Sequence, residues 1–424
     1  YSANFGAKVE NYLRIMTFSE KSPPGEFHPI MASHDYQPGV KLIAVSVISD
    51  LVTDYRVHRV CQTLQEQGYR VLLTGRVRRS SLALQKRNYQ TDRISSWFNR
   101  SALFYAEFNI RLFFRLLICR ADIYLGNDLD VMPATLLAAR IRKKPLIYDS
   151  HEYFSGMAGL ERKPLRRGIW KWFEKRLFRR LKYGYTVSGS IRDQYRLEYG
   201  KELLVVRNLP SGERAPCFSP AEKEWIASID RQIPANKNIL LLQSGGLNEQ
   251  RGVEELVLSM QFLDGNRFHL LIIGGGDIFC GLQKMIAGNQ LAGKVTLIPK
   301  VPFSILPHFT QQAHLGLSLE KAAVANHRYC LPNKLFEYLH AGVPVLTSRL
   351  VEMERIIEHY QVGTFIEDHL PEHIAGKISE IFDHPEQLAR WKENTARVLE
   401  ELNWENERKI IVNIFKQVER DSVS

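Results

Sequence analysis

The chain has 424 residues, 45% of them hydrophobic and 24% charged, which is too long for one ordinary core and too apolar for a disordered chain, so two domains of roughly 200 residues each are expected. The formal net charge is +11, a balance that seeks anionic partners such as phospholipid heads, polyphosphates or nucleic acid. The five cysteines (Cys61, Cys119, Cys217, Cys280 and Cys330) are odd in number, far apart and without a C-x-x-C pair, which argues against a disulfide framework or a zinc site and fits a reducing compartment.

Residues 1–39 read as a polar N-terminal extension without a signal-peptide pattern. Short apolar runs then alternate with amphipathic patterns. The first series of strand-like runs is Lys41–Val47, Arg70–Thr74, Ile123–Leu125, Pro145–Tyr148, Tyr185–Val187 and Leu203–Val206. A stretch rich in proline, Asn208–Lys237, separates it from a second series: Asn238–Leu242, Phe268–Ile273, Val295–Ile298, Leu315–Leu319, Val343–Thr347 and Gly363–Ile366. Continuous apolar strands alternating with helices predict parallel sheets covered on both faces. The expected fold is therefore α/β, with two Rossmann-like domains over 40–210 and 211–403, and a final amphipathic helix from Trp404. Ligands of such sheets bind beyond the carboxyl ends of the strands, so two facing domains would enclose a cleft.

Four clusters lie at such strand ends. The strongest is Leu331-Pro-Asn-Lys-Leu-Phe-Glu-Tyr-Leu-His-Ala-Gly-Val-Pro-Val345. Pro332 and Asn333 suit a helix start and Gly342 its stop. The amides of that start, with Lys334, would make an anion site, and Glu337 would suit a pair of ribose hydroxyls; a plain helix with a Lys–Glu pair is the ordinary alternative. The second is Ser244-Gly-Gly-Leu-Asn-Glu-Gln-Arg-Gly252, where Gly245 and Gly246 permit close backbone approach and Arg251 would reach a diphosphate. The third, Gly274-Gly-Gly-Asp277, reads as a tight turn. The fourth joins Asn127-Asp-Leu-Asp130 and Tyr148-Asp-Ser-His-Glu152 in the first domain. Its carboxylates suit helix caps, a metal or a general base, and His151 suits a substrate hydroxyl or phosphate oxygen.

In this order the clusters resemble the retaining family 4 glycosyltransferases of GT-B fold, over about Val40–Gln417. The most specific parts are Pro332-Asn-Lys-Leu-Phe-Glu-Tyr338, Gly342-Val-Pro-Val345 and Asp149-Ser-His-Glu152; Thr53-Asp-Tyr-Arg-Val57 and Val206-Arg-Asn208 support them. The resemblance implies a donor site of Gly245, Gly246, Arg251, Val301, Asn333, Lys334 and Glu337. Glu337 would hold the ribose, Arg251 the diphosphate, and Val301–Phe303 would lie against the base. Asn127, Asp128, Asp149, His151 and Glu152 would line the acceptor side, and His151, Arg251 and Lys334 would serve the chemistry. The final helix would cross back to the first domain. Three positions depart from the family. Its two glutamates separated by seven residues reduce to one, because Tyr329 stands where the first would be. Gly246 stands where an arginine is common, and Asn127 where a histidine is common.

The implied reaction moves a sugar from a UDP- or GDP-sugar to a glycan or lipid-linked acceptor, with no metal or cofactor. Between Glu161 and Lys182 ten Lys or Arg meet two Glu, interleaved with Trp170, Trp172 and Phe173. Residues 162–182 are thus expected to dock on an anionic membrane surface, placing the enzyme peripherally on the cytoplasmic face. The helix predicted over Ser101–Cys119 is expected to cover the first sheet. A GT-B-like epimerase and a non-catalytic nucleotide-sugar-binding subunit are the rival readings. Nucleic acid is not expected as a partner, since no recognition motif accompanies the charge.

Overall fold

A computed structural model of the chain describes residues 39–79, 81–98, 101–161, 163–211 and 218–423. The extension expected over 1–39 lies outside these residues except for Gly39, as does Cys217. The other four cysteines are free.

Two parallel sheets form two lobes. The first contains β1 (Leu42–Asp50), β2 (Arg70–Val77), β3 (Gln90–Ser95), β4 (Ile123–Asn127), β5 (Leu146–Ser150), β6 (Tyr183–Thr186) and β7 (Leu204–Val205), in the spatial order 3-2-1-4-5-6-7. The second contains β8 (Asn238–Ser244), β9 (Phe268–Gly274), β10 (Val295–Ile298), β11 (Leu315–Ser318), β12 (Val345–Thr347) and β13 (Gly363–Phe365), in the order 10-9-8-11-12-13. Every pairing is parallel. The strand order reverses between β1 and β4 in the first sheet and between β8 and β11 in the second. A crevice opens at such a reversal because the connections leave in opposite directions.

The helices used below are α1 (Tyr55–Glu66), α2 (Ser101–Ile118), α3 (Met132–Arg142), α4 (Pro164–Arg180), α5 (Gly189–Tyr199), α6 (Pro220–Asp230), α7 (Val253–Ser259), α8 (Asn333–His340), α9 (Val351–Tyr360) and α10 (Trp404–Val423). Helix α10 crosses back to the first lobe. Its Ile411, Ile414, Phe415 and Val418 pack with Val57, Val60 and Leu64 of α1 in the core beneath β1 and β2. Leu209 already belongs to the core of the second lobe.

Two sequence expectations are corrected. Strand β3 was not expected: its residues Gln-Thr-Asp-Arg-Ile-Ser bury only Ile94, because it is the sheet's edge and exposes one side. Helix α6 lies in the stretch taken as a linker. Ser219 and Glu222 cap it reciprocally, with Pro220 in the first turn, and Ile226 and Ile229 join the second core. Helix α2 covers the first sheet as expected and exposes a further apolar face. Phe104, Phe108, Leu112 and Leu116 are buried, while Leu103, Ile110, Phe114 and Ile118 are exposed. Its charges are paired: Glu107 with Arg111 at 2.9 Å and Arg115 with Asp92 of β3.

Candidate active site

The crevice of the second sheet lies beyond β8 and β11, and packing around two glycines builds it. Gly316 of β11 lies against the ring of Tyr338, which would stand 2.4 Å from any added Cβ. That close approach seats α8 on the sheet. The Tyr338 hydroxyl accepts from the Gln243 amide at 2.9 Å and donates to the Leu317 carbonyl at 3.3 Å. Gln243, buried at the end of β8, then reaches the Glu337 carboxylate with its side-chain amide, and its own carbonyl accepts from Thr310 at 2.8 Å. Burial holds the Glu337 carboxyl above its ordinary range, while Gln243, Arg59 of the first lobe and Lys334 pull it back.

The second glycine, Gly252, has φ +69° and would place a Cβ 2.2 Å from the Leu319 carbonyl oxygen. A side chain there is excluded both by the left-handed backbone and by the contact. The contact sets Arg251 beside Glu320, the residue after Leu319. Glu320 Oε1 lies 3.8 Å from Arg251 Nη1 and 2.7 Å from Lys334 Nζ. Burial works against the Glu320 charge, but Lys334, Ser318 and Arg251 outweigh it and keep the carboxyl below its usual range. Glu320 was missed by sequence reasoning, although it immediately follows a strand-like run, where chemistry was to be sought. Gln243 was missed because it reads as the polar end of a strand.

The start of α8 has no side-chain cap, and Asn333 is exposed there. An uncapped helix start leaves amide donors for an anion. Gly245 is exposed with open space around it, whereas Gly246 faces the Asn248 side chain. Gly274 and Gly276 press against the backbone of Ser244 and Leu247, so these two glycines fit the loop after β9 beneath the loop after β8. Val301 is half-buried, and Phe303 stacks on Tyr55 of the first lobe with ring centres 4.7 Å apart.

The first lobe contributes a second group of ions. Asn127 of β4 and Asp149 of β5 are register partners, and neither is exposed. Both were expected on the acceptor side, and both side chains are buried within the first lobe. Asn127 donates to the Ser46 carbonyl at 3.0 Å. Asp149 receives Arg56 of α1 at 2.8 and 3.3 Å and His151 Nε2 at 3.1 Å. Burial would raise the Asp149 carboxyl, but Arg56 and His151 hold it down at about 2. Burial would likewise lower the His151 imidazole, but Asp128 and Asp149 hold it up at about 9. Asp128 has φ 62° and accepts the His151 amide at 2.8 Å; asparagine and aspartate tolerate that backbone best after glycine. Neither Asp128 nor Asp130 caps α3, whose start has no side-chain cap.

The two lobes meet around these groups. Asn326 of the second lobe donates to Glu152 at 3.0 Å and accepts the Tyr153 amide at 3.0 Å. Tyr329 faces the first lobe: its ring lies edge-on to Tyr153 at 6.3 Å and its carbonyl accepts from Ser188. Glu352 of α9 accepts the Ser190 amide and hydroxyl at 2.7 and 2.6 Å, and so caps α5 from across the lobes. His151, Asp128 and Glu152 therefore stand on one side of the cleft and Arg251, Lys334 and Glu337 on the other.

Two family models match the chain: Glycosyltransferase Family 4 over residues 54–208 and Glycosyl transferases group 1 over residues 226–398. The chain belongs to the family 4 glycosyltransferases. Each model covers one lobe of this GT-B enzyme, and the connection at 209–225 falls between them. Among solved structures, the sucrose-phosphate synthase of Thermosynechococcus elongatus superposes with TM-score 0.71 at 15% identity, covering 90% of this chain and all of the other. Anabaena Alr3699/HepE in complex with UDP-glucose gives TM-score 0.69 at 14% identity, with 89% and 100% covered. WaaG, a glycosyltransferase involved in lipopolysaccharide biosynthesis, gives 0.63 at 18% identity, with 88% and 99% covered. At these identities the structures speak for the fold. A search of curated proteins returns no match.

Proposed function

We propose that this glycosyltransferase takes a UDP- or GDP-sugar as donor and transfers the sugar, with retention at C1, to a glycan or lipid-linked acceptor of cell-surface polysaccharide synthesis. The observation that carries the donor half is the convergence of Arg251 and Lys334 on one edge of the second sheet, next to Glu337 and the uncapped start of α8. A diphosphate there meets two cations and helix amides, and a ribose meets the Glu337 carboxylate. The binding of UDP-glucose by HepE is in keeping with such a donor.

In this reading the bond from C1 to the β-phosphate oxygen breaks and the nucleoside diphosphate leaves. The acceptor oxygen bonds to C1 from the same face and gives its proton to the departing phosphate. Arg251 and Lys334 stabilise the charge that develops on that phosphate. The reading assigns the site no metal or cofactor, because these two residues carry the positive charge themselves. His151, braced by Asp128 and Asp149, presents a cationic ring toward the donor sugar or the acceptor. Thermal shift with paired UDP- and GDP-sugars tests the donor, since a bound ligand raises the midpoint. Product analysis with donor alone tests the reaction: conversion of the sugar without an acceptor would mark an epimerase and overturn the transferase reading.

The acceptor half rests on the outer surface of the first lobe. Along α4, Leu165, Ile169 and Trp172 are 80%, 61% and 57% exposed at helical spacing, flanked by exposed Arg166, Lys175, Arg176, Arg179 and Arg180. Trp170 packs inward, against Phe154 and Tyr105 of α2. The basic charges and exposed apolar residues of α4 form an arrangement suited to an anionic membrane surface on the cytoplasmic side. No helix among the described residues is long and apolar enough to cross a membrane. Flotation should show retention on anionic vesicles at low salt that is lost in Ile169→Ser/Trp172→Ser. Equal retention on neutral vesicles would remove the electrostatic part.

A further inference from the structure

Glu320 belongs to no motif of the sequence, yet the two cations of the donor site converge on it. Its side chain is 1% exposed, and Ser318 donates to its second oxygen at 2.7 Å. Lys334 is itself only 8% exposed. An ammonium so far from water needs an opposite charge beside it, or it leaves for solvent. Lys334 Nζ and Glu320 Oε1, 2.7 Å apart, pair in charge. The ammonium is thus held by Glu320, with further N–H donors of its three left for an anion. Arg251 is 32% exposed and stands farther off, with the five donors of its guanidinium at the edge of the cleft.

Resting on the donor reading above, we infer that Glu320 is a positioning residue for the diphosphate, holding Lys334 and Arg251 together so that both meet it without reorganising. It acts through the two cations. At position 329, where the family carries its first glutamate, Tyr329 is given over to the contact between lobes. Glu320 returns a carboxylate to the site from the end of β11, with a different task. A carboxylate beside a phosphate site also repels the anion. Here two cations stand against one carboxylate, both within 3.8 Å of it, so the group keeps a net positive charge. The repulsion is offset within the group, whereas nothing else in it replaces the positioning.

Calorimetric titration of the full chain with UDP and UMP, and with GDP and GMP, isolates the contribution of the β-phosphate as a ratio of affinities. Glu320→Gln keeps the shape and removes the charge; its preference for diphosphate should fall by about tenfold or more, with monophosphate binding nearly unchanged. Glu320→Asp keeps the charge and should retain most of the preference. An unchanged or increased preference in Glu320→Gln overturns the inference, because the carboxylate would then only fill space or compete with the phosphate. A greater loss in Glu320→Asp than in Glu320→Gln overturns it as well. Should Glu320→Gln fail to fold, the comparison is made on a Lys334→Gln background, where no buried ammonium is left uncompensated. There Glu320→Gln should add less than about twofold, and a further tenfold loss overturns the inference. Wild-type protein that binds neither diphosphate brings down the donor reading itself. Wild-type protein that binds, with Glu320→Gln matching it, brings down this inference alone.

Discussion

Both lobes place an ion network at the carboxyl ends of parallel strands, and the two networks balance differently. In the first lobe Arg56 and His151 face Asp149 and Asp128, two against two, with Arg56 5% exposed and Asp149 not exposed at all. In the second lobe Arg251 and Lys334 face Glu320 alone, and Arg251 is one third exposed. A balanced network buried around Arg56 and Asp149 holds strands and helices in place and offers a ligand little net charge beyond the partly exposed His151 ring. A network with surplus positive charge and one cation at the surface is a seat for an anion. The same strand-end geometry therefore yields a brace in one lobe and, in the proposed reading, an anion seat in the other.

The comparison breaks most visibly at Arg56. Arg56→Ala leaves Asp149 buried with half its compensation, which costs about 3–5 kcal/mol of stability. Urea unfolding should show this loss, while the folded fraction keeps its nucleoside diphosphate affinity; a loss of affinity without a loss of stability would move Arg56 into the site. In the second lobe the opposite pattern is expected. Arg251→Gln should weaken diphosphate binding by about 1.5–3 kcal/mol, as for a hydrogen bond to a charged group, and leave the unfolding midpoint nearly in place.

The smallest effect is the dependence on pH. The His151 pKa is raised to about 9, above its ordinary value of about 6.5. Its pairing contributes fully below the ordinary value and is lost as pH rises through about 9. The Asp149 pKa is depressed to about 2, so its contribution is present above the ordinary carboxylate value and is lost as pH falls through about 2. The unfolding free energy of the wild type between pH 7 and pH 9 should therefore fall more steeply than that of His151→Gln. Parallel slopes would detach His151 from the brace.

Much of the architecture was legible because parallel strands are buried on both faces and so appear as unbroken apolar runs, as at Phe268–Ile273. The edge strand β3 was not, since an edge shows polar residues to water. Helix α6 carried its own signal in Ser219, Pro220 and Glu222, obscured by the prolines around it. Arg251, Lys334 and Glu337 were legible as polar residues at strand or helix ends in a recognisable order. Glu320 and Gln243 were not, because a single acid or amide after a strand looks like any loop residue until its neighbours are known.

The sequence by itself determined two parallel α/β lobes, a final amphipathic helix, and the cationic character of the second crevice, because these follow from periodicity and from residues near one another in the chain. Only the tertiary structure decided that Arg251 and Lys334 share Glu320, that Asp149 and Asn127 are buried within the first lobe, and that one face of α2 is open to solvent. Those outcomes depend on contacts between residues far apart in sequence, such as Gly252 against Leu319, and burial and charge balance are properties of the packed neighbourhood, which no single segment contains.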